Sequence, residues 1–487
     1  EVRDMLLSEV AKLRNGDFDE SLIEATINNY KMKTMRSLEE NESRAMLYVY
    51  SFINGADWAD EVQQLDRMSK ITKQDVVDWA NKYLGPESYA IVYKREGKDP
   101  NEQKIAAPKI PPIVTNRDSQ SESLTERQNS KVEPIEPVFV DYKKDMSQFE
   151  AQKGVNVLYK KNETNDIFTL IYVFNTGTEN DPALNLAFDY LSYLGTDKMS
   201  AEQIASEMYA IACSFGLSAG TNQSWIEVSG LSENMGKAME IVEGLIAGAQ
   251  PNEEILQNLK GDMIKSRADA KLNQSRCFGA LQRYMIYGSD FIRRTTLTDP
   301  ALQGLTSEQL LAKIGDLMGK QHEVLYYGPQ DEAEVKAALA AHHKVAADLQ
   351  PLEKKFSTLQ PTDENKVMLA QYDAKQLYYM QYSNRGEKFD LAADPQITLY
   401  NEYFGGGMNT IVFQEMREAR GLAYSAWANL AIPTNAKGDY YYMAFIATQN
   451  DKMQKAIEAF DEIINNMPES EKAFDIAKEA QIGRAHV

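Results

Sequence analysis

At 487 residues the chain is too long for a single hydrophobic core, so two to four domains are expected. Hydrophobic residues make up 43% and aromatics 10%, a globular composition that excludes wholesale disorder. With 72 acidic against 52 basic residues the formal net charge is −20, which repels nucleic acid and anionic lipid and argues against both as partners.

Cys213 and Cys277 are the only cysteines, which excludes a thiolate metal site or a disulfide framework. One bridge between them and two separate buried thiols both stay open. No apolar run approaches the ~20 residues of a membrane helix, so no membrane-spanning segment is expected. The sequence starts at Glu1 without a methionine and is expected to be a fragment of a longer chain.

In chain order, Glu1 to Leu13 reads as an amphipathic helix broken at Asn15-Gly16-Asp17, and a longer helical run is expected from Glu20 to about Tyr50. Thr72 opens a helix over Gln74 to Leu84, and Tyr89 to Tyr93 reads as a short buried strand. From Glu96 to Pro137, Pro100, Pro108, Pro111, Pro112, Pro134 and Pro137 stand among polar residues, the texture of a linker. Strands follow at Val155 to Tyr159, Phe168 to Phe174 and Trp225 to Val228, with helices over Leu184 to Leu194, Ala201 to Phe215 and Asn234 to Ala247. Two further helices lead to a strand at Glu323 to Tyr327. This alternation is α/β, a mixed sheet with helices packed on it.

Three segments recur in order. Asn41-Glu42-Ser43-Arg44 returns as Asn273-Gln274-Ser275-Arg276, Ile53-Asn54-Gly55 as Ile286-Tyr287-Gly288, and Ile71-Thr72-Lys73 as Leu305-Thr306-Ser307. The offsets 273 − 41 = 232, 286 − 53 = 233 and 305 − 71 = 234 are nearly constant, which points to duplication. A further copy is expected after Gly328, with its opening strand near Gln376 to Tyr382.

The densest block is Tyr403-Phe404-Gly405-Gly406-Gly407 through Tyr424. Asn409 and Thr410 suit a helix cap, Ile411, Val412, Phe413 and Met416 give an apolar face, and Gly421 suits the helix end. From Leu422 the period becomes that of a strand. Arg417 and Tyr424 are therefore expected to meet across a tight turn, and form the candidate site. The bland alternatives are a surface ion pair for Arg417 with Glu415 or Glu418, and a half-buried sheet aromatic for Tyr424.

Other chemistry finds less support. His342 and His343 are adjacent, so on a helix they diverge by about 100° and read as a solvated face, while His322 reads as structural at a strand start. The glycine run lacks the lysine and hydroxyl spacing of a phosphate loop and reads as tight packing. No Gly-x-Ser-x-Gly elbow is present.

From Phe404-Gly-Gly-Gly through Phe413-Gln-Glu-Met-Arg-Glu-Ala-Arg-Gly-Leu-Ala-Tyr424, the block resembles the non-catalytic domains of the pitrilysin/insulinase zinc metallopeptidase family. The resemblance extends from Glu1 to about Gln481. It implies repeated homologous α/β domains in two halves enclosing a chamber. On that map residues 1–95 end the second domain, 96–140 join the halves, 141–330 form an inactive third domain and 331–481 an incomplete fourth. The terminal 482–487 resembles a translated sequencing adapter and is set aside.

The family's zinc motif, His-x-x-Glu-His, would lie upstream of Glu1. Its third-domain counterpart here is Leu186-Ala187-Phe188-Asp189-Tyr190, with both histidine positions lost, so zinc is implied for the parent protein and no metal ligand in this chain. Arg417 and Tyr424, seven positions apart, match an arginine-tyrosine pair that reaches toward the zinc site and binds the peptide. The implied function is the substrate-binding part of a metalloendopeptidase. The implied partners are a peptide or protein substrate and the N-terminal half, and family analogy points to the periplasm or cell envelope. The alternative is a non-catalytic partner or scaffold subunit of a peptidase complex.

Overall fold

The computed structural model describes residues 2–94, 96–97, 103, 106, 121–131, 139–352 and 356–484. The six linker prolines and residues 485–487 lie outside the described residues. The chain divides into two units, one built from residues 1–20 and 71–139, the other from 21–70 and from Val140 onward.

In the first unit the helix Val2–Asn15 packs on Lys73–Tyr83. Gly16 makes the turn with φ +73°, and Asn81 then receives Arg14 Nε at 3.2 Å and returns its amide to the Arg14 carbonyl at 2.8 Å. Thr72 and Asp75 form a capping box at the start of Lys73–Tyr83, closing two orphan backbone donors. Tyr89 to Tyr93 has no strand pairing, and Val92 is 93% exposed. The expected buried strand is absent because no ladder neighbour stands beside this segment among the described residues.

The second unit holds two sheets. The first has β1 (Ser147–Gln152), β2 (Val155–Lys161), β3 (Ile167–Phe174), β4 (Cys213–Ala219), β5 (Ser224–Leu231) and β6 (His322–Gly328), in the order β1-β2-β6-β3-β5-β4. Only β2 and β6 run parallel, so the sheet is mixed. Central β3 buries Phe168, Leu170, Tyr172 and Phe174, which pack with Leu186 and Phe188 of Leu184–Leu191, Val242 of Met235–Gly248 and Ile314 of Ser307–Met318.

Sequence periodicity missed β1 and β4. Both are edge strands with few β-branched residues, and β4 contains Gly216. The helix expected to reach Phe215 stops at Ala210, where Ala212 takes φ +48° and turns the chain into β4. The run from Glu20 to Tyr50 is two helices, Ser21–Ser37 and Asn41–Asn54. Ser21–Ser37 packs on the first sheet's unit: Asn29 donates to the Tyr209 carbonyl at 2.6 Å, and Met32 joins Ile167, Ala212 and Leu231.

The second sheet has β7 (Gln376–Ser383), β8 (Ser425–Ala431) and β9 (Tyr441–Gln449) in the order β7-β9-β8, all antiparallel. That order repeats β3-β5-β4 of the first sheet. Met453–Asn465 covers it with Ala456, Phe460 and Ile463. The repeated segments also behave alike locally: Thr306 and Gln309 form a capping box like that of Thr72 and Asp75. Gly55 and Gly288 both take positive φ, +63° ending one helix and +76° kinking the other.

Candidate functional site

Gly405 ends the helix Asp394–Phe404 and lies against β8. A Cβ there would stand 1.7 Å from the Ala428 carbonyl oxygen, and the Gly405 carbonyl accepts the Ala428 N–H at 3.0 Å. Nothing comes closer than 3.7 Å to a Cβ at Gly406 or 4.0 Å at Gly407. The run therefore serves close packing at one glycine. Asn401 extends the same seam, accepting Leu430 N–H at 2.8 Å and donating to its carbonyl at 2.9 Å, which caps part of the outer edge of β8.

Thr410 precedes the next helix but does not cap it through its side chain; its hydroxyl donates to the Gly407 carbonyl at 2.7 Å. The expected helix forms, but only Ile411–Phe413 is α. Gln414–Ala419 widens into a π-helix, a form that often marks functional positions. Gly421 takes φ +57°, and the N–H groups of Leu422 and Ala423 both reach the Met416 carbonyl, at 2.9 and 3.2 Å. Arg420 pairs with Glu462 at 2.8 Å and Glu415 at 3.4 Å, while Lys452 donates to the Gly421 carbonyl.

On this turn Arg417 and Tyr424 come together. The guanidinium carbon of Arg417 lies 4.9 Å from the Tyr424 ring centroid and 5.0 Å from that of Phe413. Tyr424 anchors its N–H to the Ala447 carbonyl at 3.0 Å yet is 69% exposed. Strand pairing begins only at Ser425, because the two hydrogen bonds donated to the Met416 carbonyl hold Leu422 and Ala423 out of the ladder. Tyr424 is thus an exposed ring rather than a half-buried sheet aromatic. The Arg417 side chain is 40% exposed, with Nε 3.7 Å from Glu418 Oε1, too long for a hydrogen bond. Guanidinium N–H donors and a phenolic O–H therefore lie side by side at an accessible surface.

The segment expected to correspond to the zinc motif forms a packed helix instead. Leu186 and Tyr190 are buried, and the Tyr190 hydroxyl accepts Asn252 N–H at 2.6 Å while donating to Ser307 Oγ at 2.8 Å. Asp189 accepts from Asn185 at 3.2 Å, and local desolvation raises its carboxyl above the usual range. An aliphatic chain and a hydrogen-bonded phenol in the two histidine positions do not fit a zinc ion. Among the described residues no group of three or more His, Cys, Asp or Glu side chains is placed to hold a metal. No helix among them is long and apolar enough to cross a membrane.

The histidine pair departs from expectation. His343 is buried, not solvated: it follows the helix Glu332–His342 with ψ 84° and turns inward. Its Nε2 lies 2.8 Å from His322 Nε2, and its Nδ1 lies 2.6 Å from Glu243 Oε1. A signal was available, since Val335, Leu339 and His343 are four apart and fall on one buried stripe.

Residues 318–481 match the family described as the peptidase M16 inactive domain. An uncharacterized zinc protease of Streptomyces coelicolor is 23% identical over 269 residues, covering 51% of this chain and 56% of its own length. The chain thus spans little more than half of that relative. Among solved structures, the peptidase M16 inactive domain from Pseudomonas fluorescens superposes with TM-score 0.55 at 18% identity, over 70% of this chain and 86% of that one. The periplasmic protease PqqL from Escherichia coli does so with TM-score 0.57 at 15% identity, over 99% and 56%. The fold is shared with both. Through residues 318–481 this chain is similar to the inactive domain of the M16, or pitrilysin/insulinase-type, zinc metallopeptidases, and it shares their fold.

Proposed function

We propose that this chain is the non-zinc portion of a metalloendopeptidase, in which Arg417 and Tyr424 bind and orient the peptide to be cleaved. The observation that carries this is their placement, with the Arg417 guanidinium carbon on the π-helix 4.9 Å from the ring of Tyr424 beyond the turn that follows. Guanidinium N–H groups and the Tyr424 hydroxyl are suited to donate to a peptide carbonyl and to favour the negative charge that develops there. The domain map proposed with this function has residues 1–95 closing one domain, 96–140 linking, 141–330 forming an inactive domain and 331–481 carrying the Arg-Tyr turn. Zinc would be held by residues of the whole protein outside this chain. The similarity to the periplasmic protease PqqL supports a periplasmic setting.

The test is Arg417→Ala and Tyr424→Phe in the full-length protein, with zinc content measured alongside turnover. Loss of roughly 2–4 kcal/mol of transition-state stabilisation with zinc retained is the expected result. Unchanged peptide turnover removes both residues from the site. A full-length protein without a His-x-x-Glu-His motif supports the scaffold alternative.

A further inference from the structure

A relay of three ionisable side chains, the histidines buried and Glu243 partly so, sits where the first sheet hands the chain on to the second. His322 opens β6, Glu243 lies on Met235–Gly248, and His343 follows Glu332–His342. Tyr172 of β3 and Phe174 wall the cluster, with ring centroids 4.2 Å from His343 and 4.7 Å from His322. Past His343 the chain turns back along β6: Leu349 is buried, Gln350 N–H reaches the Gly319 carbonyl at 2.9 Å and Gln321 N–H the Gln350 carbonyl at 2.8 Å.

Hydrogen-bond chemistry fixes the proton count. His322 Nδ1 lies 2.8 Å from the Lys320 carbonyl, which only accepts, so this nitrogen carries a proton. If Glu243 is ionised, His343 Nδ1 must carry a proton as well. Two neutral rings would then oppose their Nε2 lone pairs at 2.8 Å, so a third proton must lie between them. Moving a proton from His343 to Glu243 gives the other satisfied arrangement, with His343 Nε2–H donating to His322. Both arrangements hold three protons and no net charge. A fourth proton leaves a net positive charge in an apolar pocket.

We propose that Glu243, His343 and His322 form an acid-sensitive clasp that fastens the end of Glu332–His342, and the following connector, to the six-stranded sheet. The groups facing it are Glu243 from its helix, Tyr172 from β3, His322 and the Lys320 carbonyl from the β6 side; the Lys320 ammonium is paired with Asp316. Burial, and then the Glu243 charge, hold the Tyr172 phenol neutral. Burial depresses His322 to about 4 from 6.5, in keeping with its role as the neutral acceptor. For His322 the sign follows: its unfolded ring binds its proton first, so its contribution as the neutral acceptor is complete above about pH 6.5 and is lost as pH falls toward about 4.

Hydrogen exchange on this chain, corrected for intrinsic rates, tests the clasp. Amides of 332–352 should lose protection by ~tenfold or more between about pH 6.5 and pH 5, while β3 and β5 keep theirs. His343→Gln should flatten that dependence. Histidine nitrogen spectra of the unaltered chain, which has four histidines, provide a measurement that needs no variant. They should show His322 protonated at Nδ1 and accepting at Nε2. Ordinary, independent titration of both rings would overturn the clasp, as would protection of 332–352 that falls only in step with the whole sheet. A stoichiometric divalent metal seated between the two Nε2 atoms would overturn it too.

Discussion

The Arg417 guanidinium stands between two aromatic rings, with Tyr424 at 4.9 Å and Phe413 at 5.0 Å. Each such contact contributes ~0.5–1 kcal/mol at an exposed site, enough to narrow the rotamers of a long side chain without locking them. A planar guanidinium suits this position better than a compact ammonium. Arg417→Lys in the full-length protein should therefore lower kcat/KM about tenfold or more although the charge is kept. Urea unfolding of this chain carrying the same change should shift by under ~0.5 kcal/mol. Full activity of the lysine variant would mean that charge alone matters at position 417.

The glycine run before that turn makes a sharper structural prediction. Gly405→Ala places a methyl group 1.7 Å from the Ala428 carbonyl oxygen, both on backbone that cannot step aside cheaply. Overpacking of this kind costs ~1–3 kcal/mol or more, and should displace the helix end from β8. Gly406→Ala meets its nearest neighbour at 3.7 Å and should cost under ~1 kcal/mol. Equal effects in chemical denaturation would show that close approach at Gly405 is not what the glycine serves.

The two cysteines should separate by reactivity. Cys213 is buried, and burial raises its thiol to about 12, so it stays protonated at about pH 8. Cys277 is partly exposed. A thiol-disulfide reagent at about pH 8 should titrate Cys277 in the native chain and reach Cys213 only in denaturant. Fast modification of two thiols in the native chain would contradict the packing of β4 against β5.

Much of the architecture follows from patterns the sequence shows openly. The apolar run of β3, the capping residues Thr72 and Thr306, and the helix-ending Gly421 each act through local chemistry, and each sits where periodicity puts it. The Arg417–Tyr424 pairing was legible for the same reason, since one tight turn joins them. What stayed hidden depends on distant partners. β4 is a strand because β5 supplies a ladder for a glycine-containing segment, and Tyr89 to Tyr93 is not one because no ladder stands beside it among the described residues. His322 and His343 meet across 21 residues of sequence, and Glu243 lies 100 residues from His343. Single-sequence spacing does not encode such encounters.

Tyr190 offers the last test, because the resemblance implies a histidine of the family's zinc motif at this position. Its hydroxyl holds Asn252 N–H at 2.6 Å and the buried Ser307 Oγ at 2.8 Å, so it joins the starts of Glu253–Ala270 and Ser307–Met318 to Leu184–Leu191. Tyr190→Phe leaves ring volume in place but removes the partner of the buried Ser307 hydroxyl, which costs ~1–3 kcal/mol. Tyr190→His removes ring volume as well and should cost more. Both effects are measurable by urea unfolding of this chain, with the order Phe milder than His. A histidine variant as stable as the original, or one that gains stability on adding zinc, would mean that this helix retains a metal-ready geometry.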